Sequence, residues 1–352
     1  MTSTPRHIPS LDGLRAISFL LVFVAHCGLD QYVPGGFGVT IFFFLSGFLI
    51  TTLMRAEFLA HQAVNFRHFW LRRAFRILPP FYLVLFGAIA AGLILDPPGT
   101  LSGPAVAAQL LHVTNYWIIA RGADGLPVGT GVYWSLAVEE HFYLLFPWLF
   151  VGMQKLRMPQ FKQALTLWML CGFVLLWRCV LVYHFQVEMD RTYMATDTRL
   201  DSILFGCALA VWNNPVLDEL GLNERLWKYA ILPLSVVALI AGMVFRDPGF
   251  RETARYSLQG MALTFIFIAA IRFPSWTPFR ILNWRPLTFI GLLSYSLYLL
   301  HFTVIVAVNR WLPNMGPVVQ AMWSFAFSMV LAWVMYVSVE RPFARLRRML
   351  SD

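Results

Sequence analysis

The sequence predicts an all-α protein, a polytopic transmembrane helical bundle of about ten spans with its N- and C-termini in the cytoplasm. Three observations carry this. Of 352 residues, 59% are hydrophobic and only 13% charged, where an ordinary soluble domain carries about a quarter charged residues. The apolar residues gather into repeated runs near the roughly 20 residues that cross a bilayer. Lys and Arg concentrate in alternate connecting segments, which fixes orientation by the positive-inside rule. With the N-terminus inside, the cytoplasmic segments hold clusters such as Arg67, Arg72, Arg73 and Arg76, and later Arg341, Arg345 and Arg347. The opposite segments hold scattered cations, among them Arg121, Arg191, Arg246, Arg251, Arg255 and Arg310. The net charge of +9 therefore follows topology and does not point to a nucleic-acid partner.

In chain order the spans fall at 14–30, 37–54, 77–95, 133–151, 164–184, 200–212, 229–245, 256–271, 288–309 and 317–339. The first lacks a small-residue cleavage site, so it reads as a span and not as a signal peptide. The span at 200–212 is short, and is either extended by its neighbours or partly re-entrant. The stretch SGPAVAAQLLHVTNYWIIA (102–120) carries Gln109, His112 and Asn115 and reads as an interfacial or re-entrant helix. No connecting segment is long enough for a separate folded domain. Residues 1–352 are thus expected to form a single membrane domain with no appended soluble domain. Cys27, Cys171, Cys179 and Cys207 lie in apolar runs with no close-spaced pair, so neither a metal site nor a disulfide framework is expected.

Ionisable residues inside spans are costly, and in lipid they mark function by default. In LRAISFLLVFVAHCG, Arg15 and His26 are separated by roughly 16 Å, about three helical turns, on nearly one face. Two readings stand: an interfacial anchor with a hydrogen-bonded core histidine, or a functional cation with a titratable imidazole. In FRHFWLRRAFRILPPFYL, Arg72, Arg73 and Arg76 lie within one turn at the membrane edge. Such guanidinium groups suit phosphate, although a plain cytoplasmic anchor explains them as well. In VYWSLAVEEHFYLLFPWLF, Glu139, Glu140 and His141 bring carboxylates beside an imidazole, which suits acid–base work and equally suits a proton-coupled carrier. In TDTRLDSILFG, Arg199 and Asp201 are expected to pair across a span mouth. In GLLSYSLYLLH, Ser294, Tyr295, Tyr298 and His301 place hydroxyls and a ring on one helix. Interhelical hydrogen bonding is the plainer use of that set, and His301 reads as structural.

The ordered set LDGLRAISFLLVFVAH, GFGVTIFFFLSGFLIT, RRAFRILPPFY, YWSLAVEEHFYLLFPWL, TRLDSILFG, SYSLYLLH and VERP resembles the acyltransferase 3 family of integral-membrane O-acyltransferases. The resemblance covers nearly the whole chain. It implies acyl-CoA, most often acetyl-CoA, as donor and a hydroxyl of a glycan, lipid-linked sugar or glycoconjugate as acceptor, at the bacterial cytoplasmic (inner) membrane. The family's Arg with ten residues before a His lands on Arg15 and His26, its paired arginines on Arg73 and Arg76, and its span-four acid on Glu139. On that footing His26 is the expected general base or transient acyl carrier, with Glu139 orienting it. Arg15, Arg72, Arg73 and Arg76 would serve the donor; Glu140, Arg199, Asp201, Tyr298 and His301 would serve the acceptor. Cys27 is a weaker nucleophile candidate, because an adjacent helical residue points about 100° away.

The chain departs from the family pattern at Thr40, often acidic or small and polar there, and at His141, usually Gln. Some relatives also carry a soluble hydrolase-like domain. The rival class is a proton-coupled secondary transporter, which should show broken helices in matching halves; the sequence shows no such pair. A small-molecule metabolite is the alternative acceptor.

Overall fold

A computed structural model describes residues 8–349; the ends expected in the cytoplasm, residues 1–7 and 350–352, lie outside the described residues. Among the described residues there are helices and no strand. Helix α1 (Pro9–Val24) runs into a wide π-type turn, Ala25–Leu29, and is followed by α2 (Gly35–His61) and α3 (Phe66–Leu95). Two short helices, α4 (Gly103–Leu110) and α5 (Thr114–Arg121), precede α6 (Trp134–Lys155) and α7 (Gln160–Cys179). Then come α8 (Met189–Met194), α9 (Thr196–Val211), α10 (Glu224–Leu226), α11 (Leu232–Val244), α12 (Pro248–Glu252) and α13 (Ala254–Arg272). The chain continues through α14 (Thr277–Arg280), α15 (Arg285–Trp311), α16 (Pro317–Met335) and α17 (Arg341–Met349).

Among the described residues, eight helical stretches are long and apolar enough to cross a membrane: Pro9–Leu29, Gly35–His61, Phe66–Leu95, Gln160–His184, Glu224–Val244, Ala254–Arg272, Arg285–Trp311 and Pro317–Arg347. Each overlaps one of the ten spans read from sequence. The other two spans are helices of a different kind. Helix α6 carries Glu139, Glu140 and Lys155 in its 22 residues. Helix α9 has only 16 residues, and all of them from Asp201 to Val211 are buried. Hydropathy cannot separate a helix buried in protein from one that faces lipid. The 102–120 segment is two helices, broken at Leu111–Val113, where His112 takes φ 55°.

The described chain divides into two compact units. One comprises the chain up to Ser18 with Gly36–Val64 and Leu144–Gly291; the other comprises Phe19–Gly35, Asn65–Tyr143 and the chain from Leu292.

In the first unit α7 lies along α9, and α13 packs on both α9 and α11. Helix α2 meets α9 backbone to backbone. A Cβ at Gly47 would lie 2.1 Å from the Ile203 carbonyl oxygen, and one at Gly206 would lie 2.1 Å from that of Phe44. Only glycine permits this approach, the small-residue packing that apolar surroundings favour. A polar lock ties α7, α9 and α13. The Arg178 guanidinium and Asp201 carboxylate, both fully buried, meet through two hydrogen bonds of 2.9 and 2.6 Å. Arg178 also donates to the Thr253 carbonyl at 3.0 Å and to Ser257 Oγ at 2.7 Å, and Ser257 Oγ donates to Asp201 at 2.8 Å. Arg55 on α2 pairs with Asp218 at 2.6 Å.

In the second unit α17 packs on α3, and tyrosine hydroxyls fasten α15 to its neighbours. Tyr295 donates to the Ile77 carbonyl at 2.8 Å, Tyr298 to that of Val132 at 3.1 Å, and Tyr133 in return to that of Leu299 at 3.0 Å.

Two outcomes test this packing. Gly206→Leu should lower the thermal midpoint of the protein in detergent, since overpacking costs about 1–3 kcal/mol, while Gly152→Ala, inside α6 with nothing within 4 Å of its added Cβ, should hold it or raise it slightly. Asp201→Asn strands the buried Arg178 charge and should cost about 3–5 kcal/mol, read as a lower midpoint and a smaller monodisperse fraction on size exclusion.

Candidate active site

The second unit places two histidines together that lie far apart in sequence. His26 sits in the wide turn that ends α1, where Cys27 and Gly28 leave helical geometry and Gly28 takes φ 88°. A π-type turn is a recurrent feature of functional sites, and here it leaves His26 half-buried beside exposed Gly28 and Asp30. His26 Nδ1 lies 3.0 Å from Nε2 of His301. His301, on α15, is fully buried, and its Nδ1 lies 2.8 Å from the Tyr298 carbonyl oxygen.

This chain of contacts fixes the tautomers of the neutral rings. The Tyr298 carbonyl can only accept, so His301 Nδ1 carries the proton and His301 Nε2 the lone pair. His26 Nδ1 faces that lone pair and must be the donor. His26 Nε2 is left with a lone pair and, among the described residues, no hydrogen-bond partner. Aromatic rings frame the pair: Phe302 lies 4.7 Å from the His26 ring centre, and Phe19 meets the His301 ring edge-on at 5.7 Å. The two imidazole centres are 5.1 Å apart. The arrangement can take a proton at one exposed imidazole nitrogen while the other stays tethered.

The group set against His26 Nδ1 is thus His301, where the sequence pointed to Glu139. Glu139 and Glu140 lie in the electrostatic surroundings of Tyr295, and Glu140 in that of Arg73. Tyr298, read as an acceptor-side group, is only 6% exposed. Its hydroxyl is taken up by the Val132 carbonyl and by Ser135 Oγ at 2.6 Å, so its carbonyl, not its hydroxyl, serves the histidine pair.

The arginine cluster lies near the start of α3. The Arg73 guanidinium stands 5.7 Å from the Tyr143 ring centre and 6.0 Å from that of Phe69, with Arg72, Arg76 and Arg347 as charged neighbours. Arg76 is exposed, and Arg72 and Arg73 are half-buried. Glu340, whose carboxylate accepts from Ser296 Oγ, lies in the field of Arg76. Neither Glu340 nor Arg347 stands out by span position. The VERP stretch containing Glu340 was the available signal.

The first unit holds the remaining predicted residues. Arg15 donates to Asp12 at 2.8 Å, an i,i+3 pair on α1. Arg199 and Asp201 do not pair with each other: residues two apart on a helix point roughly 200° from one another. Asp201 takes Arg178 instead. Arg199 donates to Thr40 Oγ1 at 3.0 Å and to the Tyr193 carbonyl at 3.2 Å, so one of the two positions that depart from the family pattern touches Arg199 directly. An apolar groove of about 390 Å³ in the same unit, lined by Trp168, Cys171, Phe205, Met261 and Phe265 among others, holds none of the predicted site residues.

Comparison with known proteins agrees with the resemblance. The "Acyltransferase domain" family model matches residues 8–337. The chain is 33% identical, over 358 residues, to "Putative peptidoglycan O-acetyltransferase YrhL" of Bacillus subtilis (strain 168), covering 97% of this chain and 55% of that protein. It is 29% identical over 357 residues to "O-acetyltransferase OatA" of Staphylococcus aureus (strain NCTC 8325 / PS 47), covering 96% of this chain and 57% of that protein. The chain therefore spans little more than half the length of these relatives. No solved structure matches it significantly. With the family model running through α1 to the turn beyond α16, the chain belongs to the acyltransferase 3 family.

Proposed function

We propose that this protein is an integral-membrane O-acetyltransferase that moves an acetyl group from acetyl-CoA to a hydroxyl of a cell-envelope glycan or glycoconjugate. The glycan is suggested by the name of one relative, which is called a peptidoglycan O-acetyltransferase. The observation that carries the chemistry is the contact chain from the Tyr298 carbonyl through His301 to His26, which leaves His26 Nε2 as an oriented base.

In this reading the acceptor hydroxyl gives its proton to His26 Nε2 as its oxygen attacks the thioester carbon. Collapse of the tetrahedral adduct breaks the carbon–sulfur bond. The thiolate leaves with the proton returned from His26, and the products are the acetyl ester and free CoA. The imidazolium formed in between is tethered at Nδ1 by His301, a positioning residue. Arg72, Arg73 and Arg76 hold the phosphates of the nucleotide end by paired guanidinium donors. The termini lie in the cytoplasm, and the membrane is the bacterial inner membrane, consistent with the distribution of Lys and Arg.

The test uses the purified protein in lipid nanodiscs with labelled acetyl-CoA and a peptidoglycan fragment. His26→Ala should lower transfer by about 10²–10⁴-fold, the range for removal of a general base. His301→Ala should lower kcat while leaving the KM for acetyl-CoA unchanged. His301→Gln should recover much of the loss, because its amide oxygen can accept from His26 and its amide nitrogen can donate to the Tyr298 carbonyl. Transfer that survives His26→Ala, or equal rates for the two His301 variants, overturns the assignment. Removing Arg73 and Arg76 together, as Ala, should raise the KM for acetyl-CoA more than it lowers kcat.

A further inference from the structure

Tyr256, near the start of α13, is only 2% exposed, and guanidinium groups crowd its ring. Arg199 lies 4.2 Å from the ring centre, Arg255 4.9 Å and Arg178 5.3 Å. Cation–π contact accounts for one such neighbour readily. Several cations around one ring away from bulk water repel one another strongly unless an anion stands among them.

Asp201 is held by Arg178 and Asp197 by Arg191; Glu252 keeps its charge while accepting from the Thr192 hydroxyl, and none of the three is hydrogen-bonded to Arg255. Arg255 is different. One Nη donates to the Tyr256 hydroxyl at 3.1 Å, but its Nε–H is buried with no partner atom. A buried donor without a partner is a group waiting for an acceptor. The Nε–Nη edge of a guanidinium offers two near-parallel donors, which a carboxylate or phosphate accepts together. Arg255 is half-buried while Arg199 is fully buried. The cluster is thus closed at Arg199 and reachable at Arg255. The start of α13 adds the positive end of that helix. The distribution of Lys and Arg puts Arg255 on the side away from the cytoplasm.

We propose that Arg255, backed by Arg199 and Tyr256, forms a recognition site for an oxyanion carried by the glycan acceptor. This rests on the acetyltransferase reading for the identity of the ligand but not for its charge. Glycan carboxylates and polyprenyl phosphates share the required chemistry, and the experiment separates them.

Binding is measured by calorimetry on His26→Ala protein in nanodiscs, so that no turnover is needed. The probes are a peptidoglycan fragment with free peptide carboxylates, the same fragment amidated, and polyprenyl phosphate incorporated in the disc. The expected result is about tenfold weaker binding of the amidated fragment, a difference that Arg255→Gln removes and Arg255→Lys partly keeps. Competition by polyprenyl phosphate that disappears in Arg255→Gln, with no discrimination between the fragments, assigns the phosphate as the ligand within the same proposal. Size exclusion confirms folding, and Tyr256→Phe, which keeps the ring, should retain discrimination. Equal binding of both fragments together with no Arg255-dependent phosphate competition overturns the proposal, as does discrimination that survives Arg255→Gln. Discrimination without any acetyl transfer by the unsubstituted protein would overturn the proposed reaction while leaving the anion site standing.

Discussion

The constraint on which the structure depends is that a chain embedded in hydrocarbon must satisfy its polar groups from within. The two units meet it differently. In the first the answer is charge against charge: Arg178 and Asp201, each with no exposed surface, close on each other, and Ser257 with the Thr253 and Thr198 carbonyls takes the other donors of Arg178. In the second the fully buried contacts of α15 are neutral, tyrosine hydroxyls against backbone carbonyls and imidazole against imidazole, while the Arg310–Asp96 ion pair keeps Arg310 half-exposed. A buried ion pair is a poor source of net stability, because desolvation offsets much of the attraction. It is a strong selector of register, since sliding α7 past α9 by one residue would leave two bare charges in an apolar interior. The close approach of Gly47 and Gly206 across α2 and α9 adds a steric selector in the same unit.

What could be read in the sequence follows from range. Hydropathy is local, so the eight long apolar helices were legible, whereas 102–120 read as one interfacial or re-entrant helix and its break at Leu111–Val113 was not foreseen. The buried status of α9 was not, because protein and lipid present the same apolar face to a helix. Arg15, His26, Arg73 and Arg76 stood out because a charge in an apolar run is visible without knowing the fold. Their partners were not visible. His26 and His301 are separated by 275 positions, and no spacing rule reaches that far. The expected Arg199–Asp201 pair failed on a local rule, the angle between residues i and i+2, which was available from the start. Arg178 was visible as a charge in a span, but nothing local said that it belonged to Asp201. The turn at Ala25–Leu29 was equally hidden, since neither Cys27 nor Ala25 signals a wide turn, and Gly28 alone marks it only in hindsight.

The distinction matters for the reading of the histidine pair. A carboxylate beside His26 would fix its tautomer, as the sequence suggested for Glu139, but it would also favour the protonated ring. In apolar surroundings that bias is large, and a base held as its conjugate acid has no lone pair to offer. A neutral imidazole with its own proton committed to a backbone carbonyl fixes the tautomer just as firmly. It brings no net charge into the interior, and so avoids the desolvation cost that a buried carboxylate would incur. His301 can do this only because the Tyr298 carbonyl, one turn earlier on the same helix, turns its Nδ1–H inward. The Tyr298 hydroxyl, bonded to Val132 and Ser135, holds that turn in place. The role of Tyr298 is therefore exercised through its backbone oxygen, which no side-chain motif would reveal, and the orientation of the His26 ring, the base in the proposed reaction, traces back to a hydrogen bond that ties α15 to the residues ahead of α6.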